Sequence, residues 1–113
     1  MTLQQLIRGS PLDLISIEDS IFDAELMIDA LTVAGLTTVL RRVDDEDALR
    51  AALDERLPDA ILSDWALPHF SGRQAMVIAQ ICCPEVPFIF VSGTISEVSA
   101  IEALRQGAID YVY

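Results

Sequence analysis

The sequence predicts a doubly wound α/β domain on a five-stranded parallel sheet, and three observations carry that prediction. Short apolar runs recur along the chain, and most are followed by a segment whose apolar residues repeat at spacings of three and four. A strand cannot turn straight into a parallel neighbour, so the helix between two strands has to act as the crossover. With 113 residues, 52% of them hydrophobic, there is length for one domain and apolar material for a core without disulfide or metal staples. Right-handed crossovers that put helices on both faces give the doubly wound form.

The elements follow in order. Residues 1–10 read as a leader and residues 11–113 as the domain. Leu12 to Ile17 is a short, mostly apolar strand stopped by Glu18-Asp19-Ser20. Ser20, with Asp23 three residues on, opens a helix whose Ala24, Met27, Ile28, Leu31 and Ala34 share one face, and Gly35 closes it. Thr37 to Val43 is a second strand, rich in β-branched residues, ending in the charged turn Asp44 to Asp47. The next helix turns Leu49, Ala52, Leu53 and Leu57 inward and is ended by Pro58. Ala60 to Ser63 is a buried strand that delivers Asp64. The loop from Leu67 to Gly72 leads to a third helix with Ala75, Ile78, Ala79 and Cys82 on one face. Phe88 to Val91 is the most apolar strand. Thr94 and Glu97 stand at capping-box spacing before a fourth helix carrying Val98, Ile101 and Leu104. Asp110 to Tyr113 is the fifth strand. Five strands with four helices leave one face of the sheet short of cover.

The charge balance excludes whole classes of partner. Eighteen acids against seven bases give a net charge of −11, which disfavours DNA, RNA and anionic membranes. All seven bases are arginine, and there is no lysine. No apolar run is long enough to span a bilayer, and the first ten residues lack a signal peptide's apolar stretch, so a cytoplasmic protein is expected. Cys82 and Cys83 are adjacent and are the only cysteines, which excludes a disulfide framework and a cysteine-rich zinc site.

In an open parallel sheet, ligands bind beyond the carboxyl ends of the strands. Glu18 and Asp19 follow the first strand there, Asp64 the third, and Ser92 the fourth. A single acid in such a place is usually a helix cap or a solvated charge, and Asp44 to Asp47 are left in that class. Three carboxylates meeting at one rim repel one another unless something positive sits among them. A hard divalent cation with oxygen ligands fits, and Mg²⁺ fits best because it needs few protein carboxylates and keeps waters.

These residues carry a family resemblance. Ile17-Glu18-Asp19-Ser20, Leu62-Ser63-Asp64-Trp65-Ala66-Leu67-Pro68 with Gly72, Phe90-Val91-Ser92-Gly93-Thr94, Gly107-Ala108 and Asp110-Tyr111-Val112 occur in the order and spacing of one family. From about residue 12 onward the chain resembles the receiver domain of two-component response regulators. The resemblance implies a flavodoxin-like sheet in the order 2-1-3-4-5. It also implies that Asp64 is the phosphoacceptor, taking a phosphoryl group from a phosphohistidine on a histidine kinase or phosphotransfer protein. Mg²⁺ would be held by Asp19, Asp64 and the backbone carbonyl of Ala66, with Glu18 acting directly or through a water. Ser92 would hydrogen-bond the phosphoryl group and Tyr111 would be the switch aromatic. Gly93 would leave room beside the acceptor, and Pro68 and Gly72 would shape the loop after it. His69, the only histidine, and Trp65 lie near the acceptor in sequence and are given no role.

One residue of the pattern is missing. Receivers carry a lysine at the end of the fifth strand, and here it would be residue 114, one past Tyr113. The expectation is a receiver truncated before its last helix, with an apolar strip that invites a homodimer. An effector or kinase domain in the full-length protein is also expected. The competing reading is a phosphorylation-independent interaction module on the same fold. A phosphohydrolase with an Asp nucleophile is disfavoured, because its second acid would stand at Ala66.

Overall fold

The parallel sheet is built outward from β1 (Leu12–Ile17), which takes β2 (Thr38–Val43) on one side and β3 (Ala60–Asp64) on the other. The computed structural model describes residues 11–64, 70–91 and 110–111, with the backbone alone at 64, 91, 110 and 111. β4 (Phe88–Val91) pairs with β3, and β5 (Asp110–Tyr111) with β4, so the order is β2-β1-β3-β4-β5, all parallel. This is the order expected. The leader 1–10, the segment 65–69, the segment 92–109, which includes the expected fourth helix, and residues 112–113, the end of the expected fifth strand, lie outside the described residues.

Among the described residues three helices cross over between these strands: α1 (Ile21–Val33), α2 (Glu46–Glu55) and α3 (Gly72–Cys82). Strand alternation sorts the core into two layers. Leu12, Leu14, Ala60, Leu62 and Ile89 face α1, where Met27 and Leu31 meet them. Ile15, Ile17, Val43, Ile61, Phe88 and Phe90 face α2 and α3, which contribute Leu49, Leu53, Ala75 and Ile78. Among the described residues one helix covers the first face and two cover the second. No described helix is long and apolar enough to cross a membrane.

Caps set the helix ends. The Ser20 hydroxyl accepts from the Asp23 N–H at 3.1 Å and starts α1, and Gly35, at φ +89°, follows its end. Asp45 caps α2 by accepting from the Ala48 N–H at 2.7 Å. Ser71 and Gln74 form a reciprocal capping box at the start of α3. Two inward positions differ from expectation. Leu57 is exposed because α2 ends at Glu55 and Arg56 is already extended, so the helical spacing that would bury it has stopped. Cys82 is exposed and Cys83 buried, because Cys83 leaves helical geometry at the C-cap and is carried toward Phe88 and Ile78.

The amino edge of the sheet is pinned by charge. The Asp13 N–H donates to Asp59 Oδ2 at 2.8 Å, and the Asp59 N–H donates to the Asp13 carbonyl at 2.7 Å. The Asp13 carboxylate accepts from Arg41 Nε at 3.1 Å and also pairs with Arg56. Its hydrogen bond holds the Arg56 guanidinium above its ordinary pKa, against partial desolvation. Arg41 then reaches over to the end of α2, donating to the carbonyls of Ala52 at 2.8 Å and Arg56 at 3.1 Å.

Candidate functional site

At the opposite, carboxyl edge the register brings the predicted acids together. Ile17 stands beside Ser63, so the next step along each strand places Glu18 beside Asp64. Asp64 in turn is the register partner of Val91, and Ser92 is the residue that follows. Neighbouring parallel strands lie about 4.8 Å apart, so the backbone positions of Glu18, Asp64 and Val91 form one short row across the rim of the sheet. The apolar runs behind them are the reason. Leu14, Ile15 and Ile17, and Ile61 and Leu62, are buried, which fixes the register and leaves the acid that follows each buried run at the edge.

The turn after β1 is the part of the site that is described in full. The Glu18 N–H donates to the Val43 carbonyl at 2.9 Å, continuing the β1–β2 ladder one residue past the strand. Glu18 is half-buried, and its Oε2 accepts from the Ser20 N–H at 3.2 Å, so this carboxylate folds back onto its own turn. Asp19 is exposed, and no described residue hydrogen-bonds its carboxylate. Arg42 Nη1 donates to the Glu18 carbonyl at 3.0 Å and lies 3.6 Å from Asp44 Oδ2.

Of the other predicted site residues, Asp64 is placed by its backbone at the end of β3, and Tyr111 by its backbone on β5, in register with Ile89. Ala66, His69, Trp65, Ser92 and Gly93 lie outside the described residues. The donor set at the rim is oxygen only, which suits a hard cation such as Mg²⁺ and not zinc or copper. No group of three or more metal-ligating side chains converges among the described residues, which do not include the Asp64 side chain. Sequence reasoning passed over Arg42 and Asp44. An arginine on a strand and an acid in a run of four acids both look like solvated charge.

The comparisons with known proteins decide the family. The sequence profile described as the response regulator receiver domain matches residues 14–113. The chain belongs to the response regulator receiver domain family. Among curated relatives of this receiver, the luminescence regulatory protein LuxO of Vibrio campbellii is 32% identical over 96 residues, which are 85% of this chain and 21% of LuxO. The response regulator protein FleR of Pseudomonas aeruginosa is 28% identical over 85% of the chain and 20% of its own length. The receiver thus spans about a fifth of the length of these relatives. Among solved structures, NtrX from Brucella abortus aligns with a TM-score of 0.64 at 26% identity, covering 90% of this chain and 23% of NtrX. The receiver domain of the sensor histidine kinase PA1611 of Pseudomonas aeruginosa, solved with a magnesium ion coordinated in its active-site cleft, aligns at 0.64 and 21% identity. It covers 91% of this chain and 84% of its own.

Proposed function

We propose that this receiver accepts a phosphoryl group from phosphohistidine onto Asp64, with Mg²⁺, and switches a partner surface in response. The observation that carries this reading is the row Glu18–Asp64–Val91 across the carboxyl edge, with Asp19 and Ser92 next along the chain. In the transfer, an Asp64 carboxylate oxygen attacks phosphorus, the P–N bond of the donor breaks, and the imidazole leaves with its bonding pair and takes up a proton. The obstacle is an anion approaching an anion, so positioning and charge neutralisation dominate the catalysis.

Mg²⁺, when bound, supplies that neutralisation. Asp19, Asp64 and the Ala66 carbonyl would hold it. Glu18 is assigned the indirect role, because its Oε2 already accepts from the Ser20 N–H. Ser92 would donate its hydroxyl proton to a phosphoryl oxygen, and Tyr111 would follow it as the switch aromatic. Water attack on the phosphoryl–aspartate at the same residues would return the domain to rest. The partners in this reading are a histidine kinase or phosphotransfer protein and an effector domain of a longer protein in the cytoplasm. The domain is taken as 11–113, with 1–10 as a leader.

A second reading, a phosphorylation-independent interaction module, draws on one observation. Phe22, Leu26 and Val33 are exposed on one face of α1, with Asp29 among them, and this face does not depend on Asp64. Beryllofluoride with Mg²⁺, read by fluorescence of Trp65, separates the two. The phosphoacceptor reading predicts a saturable change that Asp64→Asn abolishes; the module reading predicts none.

A further inference from the structure

Arg42 reaches the acidic turn from another strand. It stands one residue before the end of β2, in register with Ser16, and alternation puts it on the α1 side of the sheet with Leu40. From there its Nη1 donates to the backbone carbonyl of Glu18 at 3.0 Å, while the carboxylate of Asp44 lies 3.6 Å from the same nitrogen. The carbonyl it holds belongs to the peptide unit between Glu18 and Asp19. Rotation of that unit would change where the Asp19 carboxylate points. Other bonds in the turn run from the Glu18 N–H to Val43, the Ser20 N–H to Glu18 Oε2, the Asp23 N–H to Ser20 Oγ and the Ala24 N–H to the Ser20 carbonyl. None of these four takes the Glu18 carbonyl, which accepts from Arg42.

We infer that Arg42 is a positioning residue for the acid pair: it fixes the Glu18–Asp19 peptide so that Asp19 is held at the rim before a cation arrives. The inference rests on the Mg²⁺ part of the proposed function. An arginine beside acids can also act by its charge alone, and then its loss would tighten cation binding. The geometry favours positioning. The bond goes to a neutral carbonyl, and the guanidinium shares its charge with Asp44, which weakens its field at Asp19. Groups that orient metal ligands typically contribute about ten- to a hundredfold in affinity, and Arg42, partly exposed and acting through the backbone, belongs at the lower end. The same contact gives Asp44 a function within the acidic turn: it anchors the guanidinium from the far side.

The test is a magnesium chloride titration of the 113-residue chain and of Arg42→Ala, Arg42→Gln and Arg50→Ala, followed by Trp65 fluorescence and calorimetry well below unfolding. Positioning predicts about tenfold weaker Mg²⁺ binding for Arg42→Ala and partial recovery in Arg42→Gln, which donates without charge. Arg50→Ala, on the exposed face of α2, is expected to bind as the parent does. Equal or tighter binding by Arg42→Ala overturns the inference, and tighter binding by both Arg42 variants identifies a charge effect instead. Amide exchange in metal-free protein supplies an independent readout, with Ser20 and Asp23 expected to exchange faster in Arg42→Ala. Unchanged exchange there also overturns it. If the parent chain shows no Mg²⁺ response, the metal reading fails, and exchange alone decides whether Arg42 holds the turn.

Discussion

Replacing Arg41 with methionine keeps the buried stem and removes the guanidinium, and the structure allows the cost to be worked out. Three hydrogen bonds are lost, to Asp13 Oδ1 and to the carbonyls of Ala52 and Arg56. The side chain is 14% exposed, so solvent screens these contacts only in part. A hydrogen bond of a charged group contributes about 1.5–3 kcal/mol, and more is lost where its removal strands a buried partner. Here the partners are not stranded. Asp13 keeps Arg56, the Ala52 carbonyl still accepts from the Arg56 N–H at 3.3 Å, and the Arg56 carbonyl lies at an exposed contact open to water. That brings the expected loss down to about 2 kcal/mol, including the cation at the carboxyl end of α2. Arg50 is the control, because its pair with Glu46 is an exposed i,i+4 bridge worth about 0.3–0.5 kcal/mol. Urea unfolding followed by circular dichroism should give a lower midpoint for Arg41→Met with the slope unchanged, and little shift for Arg50→Met. Equal shifts in the two variants would refute the assignment of Arg41 as the tie between β1, β2 and α2.

Three further outcomes are expected. Gly35→Ala meets no atom within 4 Å but must hold φ +89°, so it should lose about 1 kcal/mol through backbone strain alone, measured by urea unfolding. Thr38→Val should be stabilising by about 1 kcal/mol, since the buried Thr38 hydroxyl has no hydrogen-bond partner among the described residues. Burial, and then the neighbouring Cys82, raises the Cys83 pKa above the ordinary thiol value of 9.0. The unfolded chain therefore deprotonates first. Stability should fall as pH rises from that value through the raised one, and the fall should be shallower in Cys83→Ala.

How much of this was legible in the sequence depends on the kind of signal. The crossover pattern and the helix faces follow from local periodicity, and Leu14, Ile61, Met27 and Leu31 are buried as that periodicity requires. The strand order followed from the family resemblance, because no local pattern says that β1 sits between β2 and β3. Asp64 was legible because a buried strand ends on it. Arg41 and Arg42 were not, since their roles depend on partners eleven or more residues away: the carbonyls of Ala52 and Arg56 for one, that of Glu18 for the other. Asp44 and Asp45 looked alike in a run of acids, yet Asp45 caps α2 and Asp44 pairs with Arg42. The capping box of Ser71 and Gln74 was written in the sequence as a Ser-x-x-Gln spacing and passed unread. Cys82 and Cys83 exchanged places because the backbone leaves helical geometry at Cys83, which helical spacing cannot foresee.

The central claim is that the carboxyl edge carries a phosphoacceptor at Asp64. The most direct measurement is intact mass after incubation with acetyl phosphate and Mg²⁺, for the parent chain and for Asp64→Asn. The account predicts one added phosphoryl group on the parent, lost on chelation of Mg²⁺ before the reaction and absent from Asp64→Asn. An adduct that persists in Asp64→Asn, or none on the parent chain, would contradict it.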